Sequence, residues 1–491
     1  MTALVRSTSI VDALRRAGLL TDVRGALPAT LSSITDDSRA ATPGSLFVAV
    51  RGSARDGHEF LPQVATMGAA AVIVVDADAT TLPAIVVSDS RRAVAVAAAA
   101  WYGEPAATLR LIGVTGTNGK TTSVSMLRHL LSTEHAPAAS IGTLGVLLGS
   151  EGHVHPGGSG LTTPGPIELQ KLLRELVTAG AHWVAMEASS HALDQHRLDG
   201  LHFTAALFTN FTRDHLDYHG SMDSYFAAKA LLLQLLTADG RVVINADDES
   251  WSNLPATAHR RWRFSAGANF ADVYARRTEF TPTGSSFTLH APETEPAKVQ
   301  LPLLGDFQVE NAVGVAATGL ALGMQLPVVA ARLSNMPQVS GRLERISDVP
   351  AILRDYAHTP DALERALKSV RPFASGKVIV VFGAGGDRDR GKRPEMGKVA
   401  AELADICIVT SDNPRTEDPE RILDDIVAGM PPIKVLREKD RRQAITLAVD
   451  LAGAHDLVLL AGKGHETYQI RGTTKYPFDE AQIVAELTAV R

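Results

Sequence analysis

One short segment constrains this chain more than any other. The apolar run Leu109–Val114 leads into TGTNGKTT and then into SVSMLRHLLS, where Val124, Leu127, Leu130 and Leu131 recur at helical spacing. A strand, a glycine-rich turn and a helix in that order predict an α/β domain with a phosphate-binding loop. Its backbone N–H groups at Gly116, Thr117, Asn118 and Gly119, with the helix N-terminus through Thr122, suit the β- and γ-phosphates of a nucleotide. Lys120 can reach the same oxygens, and the Thr121 hydroxyl can ligate Mg²⁺. The loop departs from the strict phosphate-loop pattern, because Val114 stands where the first glycine belongs. The alternative is an ordinary glycine-rich turn with a surface lysine.

A second acidic element is expected with such a loop. The run HWVAM ends in Glu187, which places a carboxylate at a strand end, where it can hold a metal or remain a solvated charge. No N-K-x-D element for guanine occurs, which argues against a GTPase switch. Downstream, TNFTRDHLDYHGSMDSYFAAKALLLQLL carries His215, Asp217 and His219, and then Lys229, the only charge between Tyr225 and Leu236. An unpaired buried ammonium is too costly to persist. Lys229 must therefore snorkel to the surface, find a partner, lose its charge or be chemically changed.

The C-terminal third shows βαβ rhythm. Apolar β-branched runs at Lys377–Phe382, Asp405–Thr410, Ile433–Leu436 and Asp456–Ala461 alternate with amphipathic stretches of helical length, predicting a parallel sheet. Three of these runs enter the polar loops GAGGDRDRGKRP, SDNPRTEDP and AGKGHETYQ, which a parallel sheet gathers at its ligand-binding edge. GAGGDR is not a dinucleotide fingerprint, since Arg388 replaces the third glycine. Breaks at Gly103–Pro105 and Ser347–Pro350 divide the 491 residues into three domains, 1–105, 106–345 and 346–491. With 48 basic and 54 acidic residues, the net charge of −6 argues against bulk nucleic-acid binding. The single cysteine, Cys407, lies in a strand-like run and cannot form an intrachain disulfide. No apolar run reaches the ~18 residues of a membrane span, and no signal-peptide core is visible, so a cytoplasmic location is expected.

Taken together, GVTGTNGKTT, MEASSHALDQHR, NFTRDHLDYH with the following AAK, LLGDFQVENAV, GRLE, DYAHTPDAL, GAGGDRDRGKRP, SDNPRTEDP and AGKGHE resemble the motifs of the Mur ligases, in the same order. The likeness is strongest to the MurE type, which adds the third peptide residue to the cell-wall precursor UDP-N-acetylmuramoyl-L-alanyl-D-glutamate. It covers nearly the whole chain, since TDDSRAATPGSLFVAVRG with DGHEF is similar to that family's UDP-binding domain. The resemblance implies a three-domain α/β architecture with a central phosphate-loop ATPase domain and a C-terminal Rossmann-like domain. It further implies ATP and Mg²⁺ as cofactors, and a carbamate formed from CO₂ on Lys229, with Thr121, Glu187, His215 and Lys229 holding the metal. Asn311, Arg342 and Asp355 match nucleotide-binding positions, whereas Gln308, where relatives commonly have Asn, is assigned no contact. Ser38 matches a uridine-side position, and Thr162, Thr163, Ser189, Gln195 and Arg197 match positions around the precursor peptide; helix caps and solvated loops are their plainer reading.

The implied reaction is ATP-driven amide formation through an acyl phosphate, at a cleft between domains that closure completes. The implied amino acid is meso-2,6-diaminopimelate, which carries a distal carboxylate that lysine lacks. Arg388, Asn413 and Arg415 would meet that carboxylate, and Gly462 and Glu466 the distal ammonium. Arg415 could instead pair with Glu417 or Asp418 on its own loop. Two rivals are a folylpolyglutamate synthase, disfavoured by the N-terminal UDP-type domain and the DNPR loop, and a non-catalytic nucleotide-dependent switch, disfavoured by the intact Lys120, Glu187, His215 and Lys229.

Overall fold

The computed structural model describes residues 4–52, 55–158, 160–267, 270–431 and 435–489. These form two compact units, one built from Met1–Tyr274 with Ala291–Glu293 and Asn311–Val329, the other from Ala275–His290, Thr294–Glu310 and Ala330–Arg491.

Besides a short pair of strands, Val5–Arg6 with Thr30–Leu31, two sheets organise the first unit. Its N-terminal sheet has the order Leu20–Arg24, Ala84–Val87, Ala71–Val74, Ser45–Val48, Ser33–Thr35, parallel except for the first pair. Alternation decides which face each side chain covers. Leu46, Val48, Ala71 and Ile73 enter one core, while Phe47, Ala49, Val72 and Val74 enter another. The apolar alanine stretch is the helix Ser90–Trp101, opened by Asp89, whose carboxylate accepts from the N–H groups of Arg91 and Arg92.

In the larger sheet the strand Arg110–Thr115 lies between Trp183–Glu187 and Phe203–Phe208, parallel to both. That order brings the C-terminal ends of three strands to one edge, with Glu187 opposite Val114 and Phe208 opposite Thr115. The sequence break near residue 105 lies inside this unit. There Arg174, on the helix Pro166–Thr178, donates to the carbonyls of Tyr102 and Gly103, both at 2.7 Å.

The second unit is built on the strands Ala351–Asp355, Leu457–Ala461, Val378–Phe382, Ile406–Val409 and Val435–Arg437, all parallel, with Glu344–Ser347 antiparallel at one edge. Both faces are covered. Val378, Val380 and Phe382 enter one core with Cys407, Leu457 and Leu459, while Ile379, Val381, Ile408, Val458 and Leu460 enter the other. Each fully buried aliphatic side chain of this kind contributes about 1.5–3 kcal/mol. Of the sequence-read strand Ile433–Leu436, Ile433 and Lys434 lie outside the described residues, and the strand found is Val435–Arg437. Among the described residues no helix is long and apolar enough to cross a membrane.

Candidate active site

The phosphate loop joins the strand Arg110–Thr115 to the helix Lys120–Leu131. Gly116 (φ 150°) and Gly119 (φ 82°) occupy conformations that a side chain would resist, and a Cβ on them would collide with Thr209 and Asn311 respectively. The loop is pinned from outside. Asn210 accepts the N–H of Thr117 on its carbonyl (2.7 Å) and the N–H of Asn118 on Oδ1 (2.8 Å), so these two amides shape the loop. Asn311 lies beside Gly119 at the head of the helix.

Two lysines meet on one carbonyl. Lys120 Nζ donates to the carbonyls of Gly116 (2.9 Å) and Thr117 (2.7 Å), and Lys229 Nζ donates to the same Gly116 oxygen at 2.7 Å. Lys229, on the helix Met222–Ala230, does not snorkel, since only 1% of its surface is exposed. Its amine lies 4.3 Å from the centre of the Tyr225 ring. Burial, and then the Lys120 ammonium, hold its pKa well below the usual lysine range. The site therefore disfavours the charged form of this amine.

Glu187 ends its strand almost fully buried, accepting from the Thr143 N–H on Oε1 (2.8 Å) and from the Thr143 hydroxyl on Oε2 (3.3 Å). His215 adopts a left-handed conformation (φ 52°) just before the helix Leu216–His219 and lies 3.4 Å from Asp214. Desolvation holds its imidazole below the ordinary histidine range; Asp214 opposes this, and Lys120 and Lys229 reinforce it. A neutral imidazole, a buried carboxylate and the Thr121 hydroxyl fit a hard cation that takes oxygen and nitrogen donors. Among the described residues no group of three or more His, Cys, Asp or Glu side chains converges, so a cation here would need donors beyond those residue types, such as the Thr121 hydroxyl. Asp217 is exposed, and His219 Nε2 lies 3.0 Å from the Ser190 hydroxyl.

The residues matched to the precursor are mostly brought together. Thr163 donates to the Glu187 carbonyl (2.7 Å) and the Ser189 hydroxyl (3.1 Å), and Arg197 donates to the Thr163 carbonyl (3.0 Å) and to Gln195 Oε1 (2.6 Å). The Thr162 hydroxyl lies 3.4 Å from that of Thr143. The helix-cap reading fails for both threonines, because the helix Pro166–Thr178 has Gly165 at its cap and no side-chain cap bond. It holds for Ser189, which accepts from the Ala192 N–H. Ser38 is buried in a single turn of the N-terminal sheet domain.

In the second unit, the Leu343 N–H donates to Asp355 Oδ2 at 2.7 Å. Burial pushes that carboxyl up to about 6, against the pull of the Arg342 guanidinium. Arg342 itself lies over the Tyr356 ring at 5.1 Å. Gln308 is fully buried, and its Nε2 donates to the Arg342 carbonyl at 3.5 Å.

The three polar loops meet at the C-terminal edge of this sheet. Gly386 donates its N–H to the Asn413 carbonyl (2.9 Å), and Arg415 Nη1 donates to the Gly386 carbonyl (2.8 Å). Arg388 lies two residues beyond Gly386, its guanidinium turned to the Asp387 carbonyl at 3.3 Å. Asn413 Nδ2 donates to Glu466 Oε2 at 2.8 Å, four residues beyond Gly462. Arg415 does not pair with Glu417 or Asp418. Glu417 is taken by Arg393 (3.0 Å) and by the Asp387 N–H (2.6 Å), and Asp418 caps the helix Pro419–Val427.

Sequence reasoning left Asn210, Thr143, Tyr225 and Lys463 without roles. Asn210 and Lys463 stand inside motifs already singled out, so position was the available signal; Thr143 carried none.

Comparison with known proteins follows this geometry. Family models match in three consecutive blocks: Mur ligase family, catalytic domain, at residues 30–104; Mur ligase middle domain at 114–319; and Mur ligase, glutamate ligase domain, at 341–464. The chain is 45% identical over 488 residues to the UDP-N-acetylmuramoyl-L-alanyl-D-glutamate--2,6-diaminopimelate ligase of Gloeobacter violaceus, covering 98% of both chains. A solved structure of a ligase with that name is 32% identical, with a TM-score of 0.69 and 99% of each chain covered. A folylpolyglutamate synthase of Mycobacterium tuberculosis complexed with ADP shares the fold at a TM-score of 0.64 and 18% identity, over 76% of this chain and 91% of that one.

Proposed function

Because the chain belongs to the Mur ligase family, with its N-terminal, middle and C-terminal domains in order, we propose that it is the ATP-dependent ligase that adds meso-2,6-diaminopimelate to UDP-N-acetylmuramoyl-L-alanyl-D-glutamate in peptidoglycan precursor synthesis. Near full-length identity to relatives of that name supports the reaction. One structural observation carries the choice of amino acid. Arg415 is held by a loop carbonyl and pairs with no carboxylate among the described residues, while Asn413 and Glu466 stand on the adjoining loops. A guanidinium in that state suits the distal carboxylate of diaminopimelate, and Glu466 its distal ammonium. The domains are taken as 1–105, 106–345 and 346–491, a division supported by the separate N-terminal, central and C-terminal cores.

The chemistry is phosphoryl transfer followed by acyl transfer. A precursor carboxylate attacks the γ-phosphorus of ATP and ADP leaves; the amine of the amino acid then attacks the acyl carbon, phosphate leaves, and the amine gives up a proton as the amide forms. Repulsion between carboxylate and triphosphate is the main obstacle, and Lys120 at the loop offsets it. Lys229 is the residue for CO₂. Its nitrogen, in the unprotonated form that burial favours, forms the N–C bond, a proton is released, and the resulting carbamate places an anion beside the Lys120 ammonium. Mg²⁺ held by Thr121, Glu187, His215 and the carbamate would supply charge neutralisation at the phosphates. Asn311 suits the adenine edge, Asp355 the ribose and Arg342 the phosphates. Thr162, Thr163, Ser189, Gln195 and Arg197 line the peptide of the precursor, and Ser38 its uridine side.

The test is amino-acid-dependent phosphate release with meso-diaminopimelate, lysine and ornithine. Diaminopimelate should support turnover and the other two far less, since lysine leaves Arg415 without its anion. Arg415→Ala should raise KM for diaminopimelate by at least about tenfold with KM for ATP unchanged. Equal turnover with lysine would overturn the specificity and leave the ligase reading standing.

A further inference from the structure

The loop after the strand Leu457–Ala461 carries a lysine that has no place in the reaction above. Lys463 is fully buried, with 0% of its surface exposed. Its Nζ donates to Asn413 Oδ1 at 3.1 Å and to Glu466 Oε2 at 3.1 Å, and lies 3.5 Å from Asp412 Oδ1. Asn413 closes the ring by donating Nδ2 to the same Glu466 oxygen, and its Oδ1 also accepts the Ile470 N–H at 2.9 Å. Gln469 holds the backbone of this loop from behind, donating to the Asp412 carbonyl at 2.7 Å.

Two consequences follow from elementary chemistry. An ammonium has three N–H donors and no acceptor, so its partners must present oxygens to it; this orients the Asn413 amide with Oδ1 inward and Nδ2 toward Glu466. The second consequence is charge. Asp412 and Glu466 bring two carboxylates to a buried place, and one lysine cancels one of them. The cluster then offers a single net negative charge, which matches the single ammonium on the distal carbon of a diamino acid.

We propose that Lys463 is a positioning residue for the incoming amino acid: by bridging Asn413 and Glu466 across two loops, it sets the geometry and the net charge of the subsite for the distal ammonium. This rests on the reading of Asn413 and Glu466 as amino-acid contacts. Lys463 touches neither the reacting carbon nor the phosphates in this assignment, so its effect must appear in the binding of one substrate.

The experiment is steady-state kinetics on the full-length enzyme with Lys463→Gln, Lys463→Arg, Glu466→Gln and the double variant Lys463→Gln/Glu466→Gln, each checked for cooperative melting. Lys463→Gln should raise KM for meso-diaminopimelate by about tenfold or more while KM for ATP stays within about twofold. Lys463→Arg, which keeps the charge, should recover part of that loss. The double variant should resemble Glu466→Gln alone, because one residue acts through the other. If Glu466→Gln raises KM for diaminopimelate and Lys463→Gln does not, or if the two effects multiply in the double variant, Lys463 has no such role and the amino-acid reading stands. If Glu466→Gln leaves that KM unchanged, the reading of the subsite falls and the proposal with it. Should Lys463→Gln fail to melt cooperatively, the neutral double variant decides. A KM for diaminopimelate about tenfold above that of Glu466→Gln would overturn the proposal, and one close to it would support it.

Discussion

Lys229 and Lys463 are both withdrawn from water, with 1% and 0% of their surface exposed, yet their surroundings are opposite. Lys229 faces a backbone carbonyl it shares with Lys120 and the face of Tyr225. Lys463 faces Asp412, Asn413 and Glu466. Without a carboxylate in hydrogen-bonding reach, burial disfavours the charged form and lowers the pKa, with only the more distant Asp214 opposing it. With two carboxylates at hand, the ammonium becomes a pin between loops. The same residue type thus meets burial in opposite ways in the two units, and the hydrogen-bonding partners around it make the difference.

The comparison is broken most sharply by Lys229→Met and Lys463→Met, which keep the length of the side chain and remove the nitrogen. Lys229→Met should abolish ligation, yet melt no lower than the parent, because no buried carboxylate is orphaned. Lys463→Met should melt lower, at a cost of about 3 kcal/mol, since it leaves Asp412 and Glu466 without their cation. Calorimetry and phosphate release together check this. A large loss of stability in Lys229→Met with retained activity would reverse the roles assigned. Mass or spectroscopic detection of an unmodified amine at Lys229 in an active preparation would remove the carbamate while leaving the burial argument intact.

Lys120 sharpens the same contrast at a smaller scale. It is the less buried member of the pair on Gly116, and the proposed reaction assigns its ammonium to the transferred phosphoryl group. Lys120→Ala should lower kcat by about 10²–10³-fold, the scale of one electrostatic donor in a preorganised site. It should also relieve the charge that depresses Lys229, so the two variants should not combine multiplicatively. Near-normal turnover in Lys120→Ala would refute its assignment to the phosphates.

What could be read from the chain follows the range of each interaction. The phosphate loop was legible because strand, glycines and helix are contiguous, and Lys229 because a lone charge in an apolar helix is itself a local anomaly. Its acceptor was not, since Gly116 is 113 residues away. The three ligand-edge loops were predictable from parallel-sheet topology, whereas the bracing of Asn413 by Lys463 crosses 50 residues. Local reasoning misled where a nearer partner was available on paper. Thr162 and Thr163 read as helix caps, but Thr163 donates instead to the Glu187 carbonyl. Arg415 read as a possible partner for Glu417, but Arg393, 24 residues earlier, holds that carboxylate.

That last pair supplies the smallest test of the comparison. Arg393 is a third buried cation, with its side chain 1% exposed, and like Lys463 it is met by carboxylates: Glu417 at 3.0 Å and Asp425 at 2.8 Å. The Arg393 hydrogen bonds, then the Asp387 N–H, hold the Glu417 carboxyl down at about 2, below the ordinary glutamate range. A depressed carboxylate contributes stability that is present above its unfolded pKa of about 4.3 and is lost as pH falls toward about 2. Glu417→Gln should therefore lower stability at neutral pH by about 1–2 kcal/mol, a discounted figure because the site is open to solvent on one side. Asp425 remains to pair Arg393, which keeps the cost below that of Lys463→Met. The gap in melting temperature between the parent and the variant should narrow below about pH 4 and close as the pH approaches about 2. A gap that persists unchanged at acid pH would mean that shape rather than charge makes Glu417 matter, and that this buried cation is satisfied differently from Lys463.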